Sequence, residues 1–84
     1  MTDATIQHRP LRVRIDGQRF DGTVKLGPDD GYDAPIVREI QRLTGMRGVS
    51  VISRRSLNCI EGSVIKGRHT EVGNFTLYPP TEFA

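Results

Sequence analysis

The alternating segment at residues 11–26, LRVRIDGQRFDGTVKL, constrains the fold of this chain more than any other feature. Apolar residues alternate with polar ones on both sides of Gly17, a period of two that is typical of half-buried strands joined by a tight turn. The pattern predicts a hairpin with one apolar face. Its other face carries Arg12, Arg14 and Arg19.

Two hairpin registers are compatible with this alternation. A type II′ loop with Gly17 in its first position pairs Arg14 with Asp21. A type I′ loop with Gly17 in its second position pairs Arg14 with Arg19. Because opposite charges across two strands are favourable and like charges are not, we expect the first register.

A helix is predicted for residues 33–45, DAPIVREIQRLTG, which carry signals at both ends. Asp33 can accept hydrogen bonds from the first turn, and Pro35 is tolerated there because its missing N–H would have no partner inside the helix. Gly45 can end the helix in the left-handed conformation. Apolar residues at helical spacing form a stripe that should pack on the hairpin: Ile36, Val37, Ile40 and Leu43.

The second half of the chain predicts short strands. The β-branched run at 48–53, GVSVIS, indicates one strand. Residues 57–67 indicate a second hairpin with Gly62 and Ser63 at its tip. Residues 74–80, NFTLYPP, indicate a closing strand that the two prolines end.

These elements predict an α+β fold of ββαβββ order, with a small mixed sheet of four to five strands and one helix packed on one face. A right-handed crossover through the helix would make the third strand parallel to an earlier one. The order resembles the β-grasp layout of ubiquitin-like domains, and the resemblance lies in the architecture. We expect one domain over residues 1–84, with a flexible tail at 1–9 and an extended tail at 79–84.

The size and composition favour a small soluble protein. A chain of 84 residues buries only about 60% of its unfolded surface. Cys59 is the one cysteine in the sequence, so no internal disulfide can form, and this favours a reducing compartment. We find neither a signal peptide nor a segment that would span a bilayer. We therefore expect a cytoplasmic protein that does not associate with membranes.

Nucleophilic catalysis has weak support. If the second hairpin is wide, Cys59 could lie near His69 and form a thiolate pair. In a tight register Cys59 faces Lys66 instead, and a lone cysteine in a short strand usually serves as a small buried hydrophobic residue. We expect no enzymatic activity.

Metal and phosphate-loop motifs are also weak. Asp29, Asp30 and Asp33 lack the spacing of a calcium loop, whereas a turn followed by a helix cap explains all three. None of the glycines forms a phosphate-binding fingerprint. We therefore expect no metal and no cofactor.

Basic residues on the predicted strands and loops form the candidate binding surface: Arg12, Arg14, Arg19, Lys25, Arg54, Arg55, Lys66 and Arg68. The net charge is only +2, so the distribution of charge matters more than its sum. We predict a non-enzymatic binding protein that docks an arginine-bearing sheet face or edge onto a larger acidic protein. It would act as an inhibitor or accessory subunit, a class that includes inhibitors that phages direct at host systems.

Two other interpretations of the basic residues stay open. The same surface could bind nucleic acid, although Tyr32 and Tyr78 are the main aromatic residues left for stacking on bases. The arginines could also form an inert solvated face that is neutralised by acids such as Asp16 and Asp21. The sequence leaves the oligomeric state open.

Overall fold

The helix and strands follow the predicted order. The computed structural model describes residues 6–27 and 31–80. The elements are β1 (Gln7–Ile15), β2 (Gln18–Leu26), α1 (Asp33–Thr44), β3 (Val49–Ser56), β4 (Cys59–Lys66) and β5 (Thr70–Leu77). The prediction of an α+β fold with one helix and five strands is therefore confirmed.

The five strands form one antiparallel sheet in the order β2-β1-β5-β4-β3. The expected mixed sheet is wrong. The pairings make β2, β3 and β5 run in one direction, but no two of these strands are neighbours. Short turns keep β3, β4 and β5 together as a meander, and β5 then pairs with β1, so α1 leads the chain to the far edge of the sheet. The resemblance to the β-grasp layout therefore extends to the element order and not to the strand pairing.

The first hairpin turns at Asp16 and Gly17, whose φ values are 52° and 82°. Two consecutive positive φ values are typical of a type I′ turn. The expected type II′ register is thus wrong, and Arg14 lies opposite Arg19. Asp-Gly is a favoured type I′ pair. Asp21 also offsets the repulsion between Arg14 and Arg19, since its carboxylate lies 3.4 Å from Nε of Arg19.

The predicted faces of the hairpin survive this change of register. The observed register differs from the expected one by two residues, and a shift of two leaves every side chain on its original face. Val13 and Phe20 are now directly opposite each other on the apolar face. Arg12 and Asp21 form the neighbouring pair on the polar face, with an ion pair of 3.3 Å.

The N-terminal part of the sheet begins earlier than expected. Strand β1 starts at Gln7, so residues 7–9 belong to the sheet and are not a tail. Residues 1–5 and 81–84 lie outside the described part of the chain. The alternation of the hairpin therefore extends upstream and includes Arg9.

The second predicted hairpin is also corrected. Gly62 and Ser63 lie in the middle of β4, and the turns fall at residues 57–58 and 67–69. Gly62 is explained by close packing of the backbone, because a Cβ at this position would collide with the backbone of Ile52 on β3. A glycine inside a strand often marks such a close approach.

Helix α1 ends as predicted and begins differently. Gly45 has a φ of 74°, and its N–H donates to the carbonyl of Gln41 at 2.8 Å. Asp33 is the first helical residue and not the cap. Its Oδ1 accepts a hydrogen bond from Oγ of Ser53 at 2.8 Å, which ties the helix to β3. The N-cap is Tyr32, and its side chain makes no capping hydrogen bond.

The hydrophobic core lies between α1 and one face of the sheet. Ile36 and Ile40 of the helix are fully buried, as the apolar stripe predicted. Phe75 and Leu77 supply the core side of β5, opposite Val13 and Leu11 of β1. Within the described ranges, no helix is long and apolar enough to cross a membrane.

Glu39 joins the helix to the edge of the sheet. A Cβ at Gly22 would collide with the Glu39 side chain, so the glycine lets the helix approach β2. There, Oε2 of Glu39 accepts a hydrogen bond from the Thr23 N–H at 3.3 Å. Arg42 donates two more hydrogen bonds, at 3.0 and 2.6 Å. The hydrogen bonds from Arg42, followed by that from Thr23, outweigh the effect of burial and lower the pKa of Glu39.

Replacing Glu39 by Gln should make folding stability less dependent on pH in the acid range. A carboxyl group whose pKa is lowered by folding stabilises the native state above its unfolded value of about 4.3, and this contribution is lost as the pH falls through the folded value. Urea denaturation at about pH 7 and about pH 3 measures the free energy of unfolding. At the higher pH we expect this free energy to be larger for the wild type than for Glu39→Gln, and at the lower pH we expect the difference between them to be smaller. An equal difference at both values would contradict this role of Glu39.

Candidate functional site

The face of the sheet opposite α1 is the candidate binding surface, and we call it the open face. No described element packs on it. The strand alternation places five of the predicted basic residues there: Arg12, Arg14, Arg19, Lys25 and Arg54. The structure thus brings together most of the predicted site on one surface.

One row of side chains crosses all five strands of the open face. The pairings run from Asp21 through Arg12 and Thr76 to Glu61 and Arg54. An ion pair closes each end of this row, at 3.3 Å between Arg12 and Asp21 and at 3.6 Å between Arg54 and Glu61. All four charged groups are at least 39% exposed. Exposed ion pairs contribute little to stability, so these groups are available to a partner.

The next row has no such balance of charge. Arg14 lies directly opposite Arg19, and Asn74 and Ser63 continue the row across β5 and β4. Arg19 contacts Asp21, which also binds Arg12. No carboxylate of a described residue lies within ion-pair distance of Arg14. The row therefore places Arg14, which has no acid partner among the described residues, directly opposite Arg19, whose acid partner Asp21 is shared with Arg12.

A shallow depression of about 330 Å³ adjoins the arginine rows over β3, β4 and β5. Polar side chains of Ser63, Asn74 and Thr76 line its centre, and Ile52 stands at its border with 67% of its surface exposed. On the other side, the guanidinium of Arg12 lies 5.8 Å from the ring of Tyr78. The open face thus combines exposed charge with a few apolar groups.

The remaining predicted site residues lie elsewhere. Arg55 points to the helix side, where its guanidinium is 5.7 Å from the ring of Tyr32. Lys66 ends β4 opposite Val49, and Arg68 is in the turn before β5. The predicted set of eight is therefore not one surface.

The structure does not form the thiolate pair considered from the sequence. Cys59 begins β4 and His69 follows its end, so they are roughly 20 Å apart at the rise of an extended strand. Cys59 lies opposite Ser56 and not Lys66. No group of three or more potential metal ligands occurs in the described part of the chain, and Asp29 and Asp30 lie outside it.

The edges of the sheet differ in how they are covered. On the outer edge of β2, the side chain of Glu39 accepts a hydrogen bond from the outward-pointing N–H of Thr23. On the opposite edge, no described element pairs with the outer side of β3. An unpaired edge can add a strand from a partner, and β3 carries two consecutive arginines, which oppose uncontrolled pairing.

The sequence interpretation missed one residue of interest, Arg9. It is buried, with 6% of its surface exposed, although it was assigned to a tail. The available signal was the alternation of the first strand, which continues upstream from Leu11 and places Arg9 on the same side as the core residues.

No protein-family model matches the chain, and neither a curated protein nor a solved structure shows significant similarity to it. The function must therefore be inferred from the chemistry of the surface residues. The two arginine rows of the open face are the feature with the clearest physical consequence.

Replacing Arg14 by Thr should stabilise the fold, by about 0.5 kcal/mol at low salt, because it removes the repulsion across β1 and β2 and adds a good strand former. Screening should reduce the gain in about 0.5 M salt. Arg54→Thr is the matched control, since it removes an exposed arginine that has an acid partner. Urea denaturation of both variants measures the difference, and a gain no larger for Arg14→Thr than for Arg54→Thr would contradict the repulsion.

Proposed function

We propose that this chain is a small non-enzymatic binding protein whose open face docks onto an acidic surface of a larger protein, as an inhibitor or an accessory subunit. The observation that supports this most is the opposed pair of Arg14 and Arg19. Like charges directly opposite each other destabilise a sheet. Carboxylates on a partner would turn this repulsion into a favourable contact.

The open face has the chemistry of a protein-binding surface. Arginine is the residue of choice for carboxylates because its guanidinium donates two parallel hydrogen bonds. Arginine and tyrosine are also the residue types that most often dominate binding energy, and Arg12 is stacked on Tyr78. The exposed Ile52 offers an apolar contact at the border of the face. The basic groups would speed association with an acidic partner.

A protein partner fits this surface better than nucleic acid. Asp21 and Glu61 lie among the arginines and would repel a phosphate backbone, whereas an acidic protein with some basic groups of its own could pair with both signs of charge. Single-stranded nucleic acid also needs aromatic rings for stacking. On the described open face that role would fall to Tyr78, whose ring already contacts Arg12.

The cellular setting is part of the same proposal. The one cysteine in the sequence suits a reducing compartment, so we place the protein in the cytoplasm. Inhibitors that phages direct at host systems are one class of small binding protein that meets this description.

The experiment compares capture of proteins from host lysate by three forms of the full chain. Arg12→Ala with Arg14→Ala removes charge from the open face. Arg38→Ala with Arg47→Ala removes the same charge from exposed positions on α1 and the following loop. We expect one acidic protein to bind both the wild type and the Arg38→Ala, Arg47→Ala variant. Its binding to the Arg12→Ala, Arg14→Ala variant should be at least about tenfold weaker.

Equal capture by all three forms would contradict the role of the open face. A mobility-shift titration with random DNA and RNA, at about 50 mM and about 200 mM salt, tests the alternative. Micromolar binding that weakens steeply with salt would identify nucleic acid as the partner. Circular dichroism and urea denaturation of each variant confirm that the fold is retained.

A further inference from the structure

A buried arginine lies at the end of the sheet where α1 begins. Among the described residues, Arg9 is the one charged side chain that is buried, with 6% exposure. It is opposite Val24 in β2 and so projects from the helix side of the sheet. Because a guanidinium does not lose its proton in proteins, the fold holds a full positive charge at this point.

The partners of Arg9 are neutral. Its Nε donates to the carbonyl of Tyr78 at 2.7 Å, and its Nη2 donates to the carbonyl of Asn58 at 2.8 Å. No carboxylate of a described residue lies within ion-pair distance of it. Carbonyl dipoles offset only part of the cost of burying a charge, so a positive potential persists around Arg9.

A second arginine shares the same aromatic ring. The guanidinium groups of Arg9 and Arg55 lie 5.8 and 5.7 Å from the centre of the Tyr32 ring. Arg55 is exposed and contacts the Tyr32 hydroxyl at 3.5 Å. Tyr32 is also the N-cap of α1, the positive end of the helix dipole. The neighbouring carboxylate, Asp33, makes its hydrogen bond to Ser53 instead.

These groups border a cleft of about 400 Å³ that is open to solvent. The described part of the chain has no buried side-chain nitrogen without a hydrogen-bond partner, and no described acceptor binds Nη1 of Arg9. Nη1 therefore reaches solvent and can donate to a ligand. Gln7 and Asn58 add polar side chains to the wall of the cleft.

The rim of the cleft carries an unusual leucine. Leu57 is 94% exposed and has a φ of 55°. A left-handed conformation is unfavourable for a residue with a side chain, and glycine or asparagine is the usual choice. Neither core packing nor turn geometry explains Leu57, whereas contact with an apolar group would. Pro79 adds further apolar surface on the rim.

We propose that this cleft binds a phosphate monoester that carries an apolar group. Its phosphate would accept hydrogen bonds from Arg9 and Arg55, and its apolar group would pack on Leu57 and Pro79. A phosphate monoester carries close to two negative charges at neutral pH, which matches two guanidinium groups beside a helix N-terminus better than a carboxylate does. This site is separate from the open face and does not depend on the proposed function.

Titrations of the full chain followed by NMR test the site, with phenyl phosphate and inorganic phosphate as probes and sodium chloride at matched ionic strength as the reference. Arg55→Ala is compared with Arg54→Ala, which removes the adjacent arginine on the other side of the sheet. We expect saturable binding of phenyl phosphate, with a dissociation constant about tenfold higher in Arg55→Ala and changed less than about twofold in Arg54→Ala.

Two further variants test the remaining groups. Arg9→Lys keeps the buried charge and loses the fork of donors, so it should weaken phosphate binding even if the fold tolerates it. Leu57→Asn should weaken binding of phenyl phosphate and leave inorganic phosphate unchanged.

Three results would overturn the proposal. Spectral changes no larger than those from sodium chloride would exclude the site. Equal losses in Arg54→Ala and Arg55→Ala would show general charge attraction. Equal affinity for phenyl phosphate and inorganic phosphate would show that the cleft does not recognise an apolar group on the ligand.

Discussion

The turn at Asp16 and Gly17 is the local constraint on which the other features depend. Positive φ at both residues fixes a two-residue loop and with it the register of β1 against β2. That register pairs Val13 with Phe20 under the helix and leaves Gly22 where α1 approaches closely. The same register brings the arginines of the opposite face into line. Core, helix contact and charged surface therefore all follow from one turn.

The choice of register shows which energy term dominates. A cross-strand charge pair on an exposed surface is worth only about 0.2–1 kcal/mol, and Asp21 reduces even that by contacting both Arg12 and Arg19. The preference of Asp-Gly for a type I′ turn is sufficient to outweigh it. The sheet therefore accepts Arg14 beside Arg19. This like-charge pair itself adds nothing to fold stability, and binding of an acidic partner would explain why two arginines occupy these positions.

The features that depend on residues close together in the sequence were predictable from the sequence. The helix, its apolar stripe and Gly45 as its end were visible in the sequence, and so were the two faces of the hairpin, which a register error of two residues does not change. The strand order was not predictable in this way, because it depends on the pairing of β5 with β1 across most of the chain. Gly62 was mistaken for a turn because the crowding by Ile52 is visible only after the strands pair. Arg9 was missed because a charged residue near the N-terminus suggests a tail and not a buried position.

Arg54 and Arg55 show how the sheet separates the two candidate surfaces, since neighbouring side chains of β3 point to opposite sides. The pairing of Arg14 with Arg19 and of Arg12 with Asp21 follows from the register of the first hairpin, and cross-strand Hα–Hα nuclear Overhauser effects measure that register directly. A strong effect between Arg14 and Arg19 is expected, because non-hydrogen-bonded antiparallel pairs bring their Cα atoms to about 4.5 Å. A strong effect between Ile15 and Phe20 instead, which is the first non-hydrogen-bonded pair of the type II′ register, would contradict the type I′ turn and the like-charge pair that supports the binding surface.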